Sequence, residues 1–140
     1  MRRAVGSLIL LPILLLLLAP TVLATPSSPF SGQWEATDPV DGSDLRADIT
    51  GGARVRIVYT DAVASVACDG APTLEFTSLL IGKVEGDEIH STMRIGKCGT
   101  VPLAFLTGLE ITWWLDDGGN GDPSDDILLN SLGEEFTRAA

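Results

Sequence analysis

From residue 30 onward, apolar and polar side chains alternate with period two through most of the chain, the pattern of strands with one buried face. Leu45, Ala47 and Ile49 oppose Arg46, Asp48 and Thr50, and Gly51-Gly52 then turns the chain. Val55, Ile57 and Tyr59 follow on one face of the next strand. Further strands are predicted over 63–68 and 74–84, the second ended by a turn at Glu85-Gly86-Asp87. The most regular stretch is 88–95, where Ile89, Ser91, Met93 and Ile95 oppose Glu88, His90, Thr92 and Arg94. Val101, Leu103 and Phe105 continue the pattern, then Leu109, Ile111, Trp113 and Leu115, and two short strands over 127–132 and 135–138 close it. No segment carries the 3.6-residue period of an amphipathic helix. About eight strands with short Gly- and Asp-rich connections predict an all-β fold, a single antiparallel up-and-down meander. Closing it into a barrel removes the exposed edges; a β-sandwich is the alternative.

The first 24 residues break this pattern. Arg2 and Arg3 precede an apolar run over 8–18, and Val22 and Ala24 stand where a signal peptidase reads small side chains. The run is short for a transmembrane helix and contains Pro12. The expectation is a signal peptide over 1–24, a Pro/Ser tether over 25–29 and one barrel domain over 30–140, secreted to the extracellular space and touching a membrane only in transit. Removing Arg2 and Arg3 takes the net charge from −10 to −12. Such a surface repels phosphate backbones, so nucleic-acid binding is not expected. In an exported chain the two cysteines, Cys68 and Cys98, are most simply one disulfide.

Phe30-Ser31-Gly32-Gln33-Trp34 resembles the opening of calycins, the superfamily of lipocalins and avidins. The resemblance implies an eight-stranded barrel whose closed end buries that tryptophan under a basic side chain from near the C-terminus. Gly32, Trp34 and Arg138 are the matching positions and would be structural. Tyr59-Thr60-Asp61-Ala62-Val63, Ile111-Thr112-Trp113-Trp114-Leu115 and the final strand around Phe136 and Arg138 resemble avidin-type strands. The loop after Trp34 is longer and more acidic than a biotin loop, so biotin is not the implied ligand. The chain is also similar to uncharacterised small secreted bacterial domains through Gly32, Trp34, Asp41-Gly42-Ser43, Asp61, the two cysteines and Phe136-x-Arg138, a likeness that brings no activity with it.

Candidate chemistry is sparse. The single histidine, His90, falls on the polar face, and neither a nucleophile elbow nor a zinc-protease motif occurs, so catalysis is not expected. Binding is the expected function. A small apolar ligand would enter the barrel mouth and meet Tyr59, Met93, Phe105 and Trp113; a cavity of several hundred Å³ would mark such a site. Alternatively a secreted or cell-surface protein engages the outer surface, as in a secreted protease inhibitor. Trp114 is the candidate there, because consecutive strand residues point to opposite faces and Trp113 takes the inner one. The 116–126 loop holds five aspartates and one asparagine. Asp116, Asp117, Asn120, Asp122, Asp125 and Asp126 are oxygen donors suited to calcium, although the EF-hand spacing fails. Calcium is the only cofactor considered, and a solvated turn is the favoured reading of this loop.

Overall fold

The computed structural model describes residues 27–64, 68 and 74–140. The expected leader, most of the connection between Ala64 and Leu74, and the first two tether residues lie outside the described residues. Nine strands form one antiparallel sheet: β1 (Gly32–Thr37), β2 (Asp44–Gly51), β3 (Arg54–Asp61), β4 (Phe76–Glu85), β5 (Glu88–Cys98), β6 (Val101–Pro102), β7 (Glu110–Asp116), β8 (Ile127–Asn130) and β9 (Glu135–Arg138). Eight of them run around a closed ring in the order β1-β2-β3-β4-β5-β7-β8-β9, and β9 pairs back onto β1 through Trp34↔Arg138. The ninth, β6, is a two-residue return against the end of β5. The chain is therefore an up-and-down β-barrel, as the alternation predicts.

Inward positions fill the barrel. Leu45, Ala47 and Ile49 of β2 and Val55, Ile57 and Tyr59 of β3 are buried, while Arg46 and Arg56 face out. Burying each large apolar side chain contributes roughly 1.5–3 kcal/mol. Gly82 is closely packed among Ile89, Ser91 and Val55; an added Cβ there would lie 2.6 Å from Ile89 Cγ2.

One end is plugged. Trp34 is fully buried, and its indole N–H donates to the Phe30 carbonyl at 2.8 Å. Arg138 lies over the Trp34 ring and bonds Asp126 Oδ2 at 2.8 Å, with further N–H donations to the Pro29 and Ser31 carbonyls. Gly32 is needed beside it: its φ is +143°, and a Cβ would lie 3.1 Å from Arg138 Nη1. The end of the expected tether takes part in this plug. Ser28 is buried, and its N–H donates to the Gly51 carbonyl.

Three local expectations are corrected. β5 carries a bulge: Leu79 pairs with Ile95 but Leu80 pairs with Met93, leaving Arg94 as an extra residue. The alternation reverses there, so Ile95 is 52% exposed while Gly96 and Cys98 turn inward. The 101–105 stretch is not a continuous strand; β6 stops at Pro102 and Ala104–Leu106 forms a 3-10 turn. The expected 63–68 strand begins in a turn at Val63, and 65–67 lie outside the described residues.

Candidate functional site

The unplugged end is where β1, β3, β5 and β8 finish and β2, β4, β7 and β9 begin. A cavity of about 430 Å³ opens there. Its floor comes from interior positions of three strands: Phe76 of β4, Met93 of β5 and Ile111 of β7, all buried. After Met93 β5 stays paired with β4 through Cys98 but no longer with β7, whose ladder ends at Thr92, and the chain returns through β6 to the 3-10 turn. The following segment stays anchored by Leu103 N–H to the Gly96 carbonyl at 2.7 Å and Gly108 N–H to the Met93 carbonyl at 2.9 Å. That segment brings Phe105, Leu106 and Leu109 to the rim, and Leu132 joins them from the β8–β9 turn. Phe105 (77% exposed), Leu109 and Leu132 are exposed apolar side chains on one opening, the kind of surface that marks a binding site.

The polar part of the mouth is a separate arc. Tyr59, at the end of β3, donates its hydroxyl to Glu134 Oε1 at 2.7 Å. Glu134 is placed by its own turn: Asn130 Oδ1 accepts the Leu132 and Glu134 N–H groups, and Asn130 Nδ2 donates to Glu134 Oε2 at 2.6 Å. Gly133 supplies the left-handed residue this turn needs, at φ +86°. Asp38 follows β1 and Asp61 ends β3, and both line the same cavity. Asp61 is buried, and its Oδ1 accepts from Ser43 Oγ and from the Val63 N–H. Burial raises the Glu134 carboxyl above its usual range, and the charges of Asp38 and Asp61 push the same way. Burial, then Glu134, raise the Tyr59 phenol far above its ordinary value, so it stays a donor at any physiological pH.

Of the four residues expected to meet a ligand, Tyr59, Met93 and Phe105 border the cavity. Phe105 does so from the exposed rim rather than from an inward strand position, because the chain has left the sheet there. Trp113 is the correction: it points inward as alternation requires, but it packs below the cavity against Phe136 and donates its indole N–H to Ser91 Oγ at 3.0 Å. Trp114 is half-buried on the outer face, with its N–H taken by Glu88 Oε1 at 2.9 Å. The acidic loop lies at the plugged end, away from the cavity. Its Asp116, Asp117, Asn120 and Asp122 oxygens accept N–H groups two residues ahead, Asn120 donates to Asp125, and Asp126 turns away to Arg138. Among the described residues no three metal-ligating side chains converge in a way that could hold an ion. Cys68 and Cys98 form the expected disulfide, which ties the β3–β4 connection to the end of β5 beside the mouth.

Sequence reasoning does not relate Asp38, Asp61 and Glu134 to one another. Each looks like one more acid in a chain with 19 of them, and only barrel closure brings the three together.

The fold and this opening define a closed antiparallel barrel with one plugged end and one amphipathic mouth. No protein-family profile, curated protein or solved structure matches the chain.

Proposed function

We propose that this chain is a secreted, non-catalytic binding protein that takes a small, largely apolar molecule in the barrel mouth. The observation that carries this reading is the cavity of about 430 Å³ over Phe76, Met93 and Ile111, within the size range of small-molecule sites. A calycin-type relationship fits the same reading. The support for it is the first-strand Trp34 under the last-strand Arg138, at the end opposite the cavity. A disulfide beside the mouth suits an oxidising compartment outside the cell. The mouth is favoured over the outer surface as the site because Trp114 is half-buried and its N–H is already bonded to Glu88. A protease-inhibitor-like partner would need a different anchor.

The test is binding of a neutral environment-sensitive dye, N-phenyl-1-naphthylamine, to the secreted protein. Enhanced, saturable emission is expected, and Ile111→Trp should abolish it by filling the cavity floor. Met93→Trp serves as the second filling variant should Ile111→Trp fail to fold. Emission unchanged in a folded filled variant would remove the mouth as the site.

A further inference from the structure

The cavity's wall is divided, and the division specifies a ligand more closely than its volume does. Around the ring of strands, the residues at the ends of β4, β5, β7 and β8 that face the opening are apolar. Those on the adjoining arc β9-β1-β2-β3 are Glu134, Asp38 and Asp61, together with Tyr59. No lysine, arginine or histidine among the described residues lines the cavity. Four ion pairs occur among the described residues, and none involves Asp38, Asp61 or Glu134. Three carboxylates thus share one side of a partly enclosed apolar opening without a basic partner there, and burial together with its two acidic neighbours disfavours the charged form of Glu134.

A second observation lies in the barrel interior next to this wall. Ser78 Oγ is the only buried side-chain polar atom among the described residues without a hydrogen-bond partner. Ser78 is 2% exposed and lies on the inward face of β4, two residues from Phe76, directly across the ladder from Tyr59. A buried hydroxyl without a partner is unusual in a folded protein and marks a place where another polar atom belongs. Ser78 thus sits beside Tyr59 on the inner wall of the barrel, next to the residues that line the cavity rather than among them.

We propose that the ligand of this mouth is a cationic amphiphile: an apolar body seated on Phe76, Met93 and Ile111, with a protonated amine on the side of the opening that Glu134, Asp38 and Asp61 line. This rests on the mouth being the binding site and adds the charge of what enters it. The hydrogen bonds of Asp38 and Asp61 run through Oδ1, which leaves each a second oxygen for an ammonium N–H. Glu134, held by Tyr59 and Asn130, contributes charge from a fixed position. The repulsion that Asp38 and Asp61 exert on Glu134 is the interaction a bound cation would relieve.

Three isosteric probes separate the outcomes: 1-naphthylmethylammonium, 1-naphthylmethanol and 1-naphthoate, titrated calorimetrically into the full secreted chain at pH 7 and low salt. The ammonium should bind at least about tenfold tighter than the alcohol, as expected for one charge-assisted hydrogen bond, and the carboxylate weakest. Asp38→Asn, at a half-buried rim position, should reduce that preference, read as the ratio of ammonium to alcohol affinity. Glu134→Gln should do the same, and Asp38→Asn carries the test if Glu134→Gln does not fold. Equal binding of ammonium and alcohol would overturn the cation inference and leave the apolar mouth standing. Failure of all three probes to bind, with no dye enhancement, would overturn the mouth reading itself.

Discussion

The Arg138 guanidinium carbon lies 4.3 Å from the centre of the Trp34 ring, so the first and last strands of the barrel meet in a cation–π contact. The same guanidinium donates to Asp126 and to two carbonyls of the entering chain. One side chain thus joins strand closure, the lead-in segment and the end of the acidic loop. The barrel is sealed at this end and keeps its opening at the other.

Arg138→Ala should therefore be costly. It removes the contact with Trp34 and leaves the buried Asp126 carboxylate without its cation, a change that costs roughly 3–5 kcal/mol in comparable buried pairs. Urea unfolding should show a loss of that order. The double variant Arg138→Ala/Asp126→Asn should lose less than the sum of the two single changes, because part of the penalty is the stranded charge. Strict additivity would show that the ion pair contributes nothing of its own.

Removing the Cys68–Cys98 bond releases a loop spanning 30 residues of sequence separation. Chain entropy predicts a destabilisation of about 3–4 kcal/mol. A Cys68→Ser/Cys98→Ser chain compared with the oxidised protein by denaturant titration measures it. Because the bond anchors the connection beside the mouth, dye binding should weaken as well. An unchanged midpoint would mean that the β3–β4 connection is held without it.

The raised Glu134 carboxyl sets a sign for pH dependence. Its folded value lies above the ordinary 4.5, so the ionised form disfavours the fold. The stability it contributes is fully present below about 4.5 and is lost as pH rises through the folded value. The groups facing it, Tyr59, Asn130, Asp38 and Asp61, remain in Glu134→Gln, which cannot titrate at this position. The melting temperature of wild type minus that of Glu134→Gln should therefore increase as pH falls from 7 to 4. A flat or falling difference would refute the assignment.

Gly82→Ala tests packing at depth. The added methyl would sit 2.6 Å from Ile89 Cγ2 and 3.2 Å from Val55 Cγ2, between three neighbouring strands. Overpacking of this kind costs about 1–3 kcal/mol. Thermal melts should show the loss, and the added penalty should be smaller in an Ile89→Ala background, which removes the obstructing Cγ2. No change in melting temperature would mean that the strands separate freely there.

Much of the barrel was legible along the chain because strand alternation is local: the pleat sends neighbours to opposite faces wherever the strand pairs. That is why spacing alone sets Leu45, Ile57, Ile89 and Trp113 inward, and Tyr59 and Met93 with them. The rule fails where the ladder does. Arg94 is one residue too many for its partner strand, so Ile95 faces out although its spacing says otherwise. Phe105 left the sheet because β6 ends at Pro102 and the chain tightens into a 3-10 turn, which carried its ring to the rim.

By itself the sequence determined an all-β chain of about eight strands, with a cysteine pair and a Trp34 and Arg138 suited to one end. The strands and the cysteine pair follow from residue type and short-range spacing, on which local sterics act, whereas the joining of Trp34 to Arg138 is what the calycin resemblance implies. Only the tertiary structure decided which end stays open and what lines it. Asp38, Asp61 and Glu134 are separated by 23 and then 73 residues, and nothing local relates them. Their meeting depends on β9 pairing with β1 and on the shared direction of the strand ends. Ring closure, a long-range event, turned three ordinary surface acids into one side of a cavity.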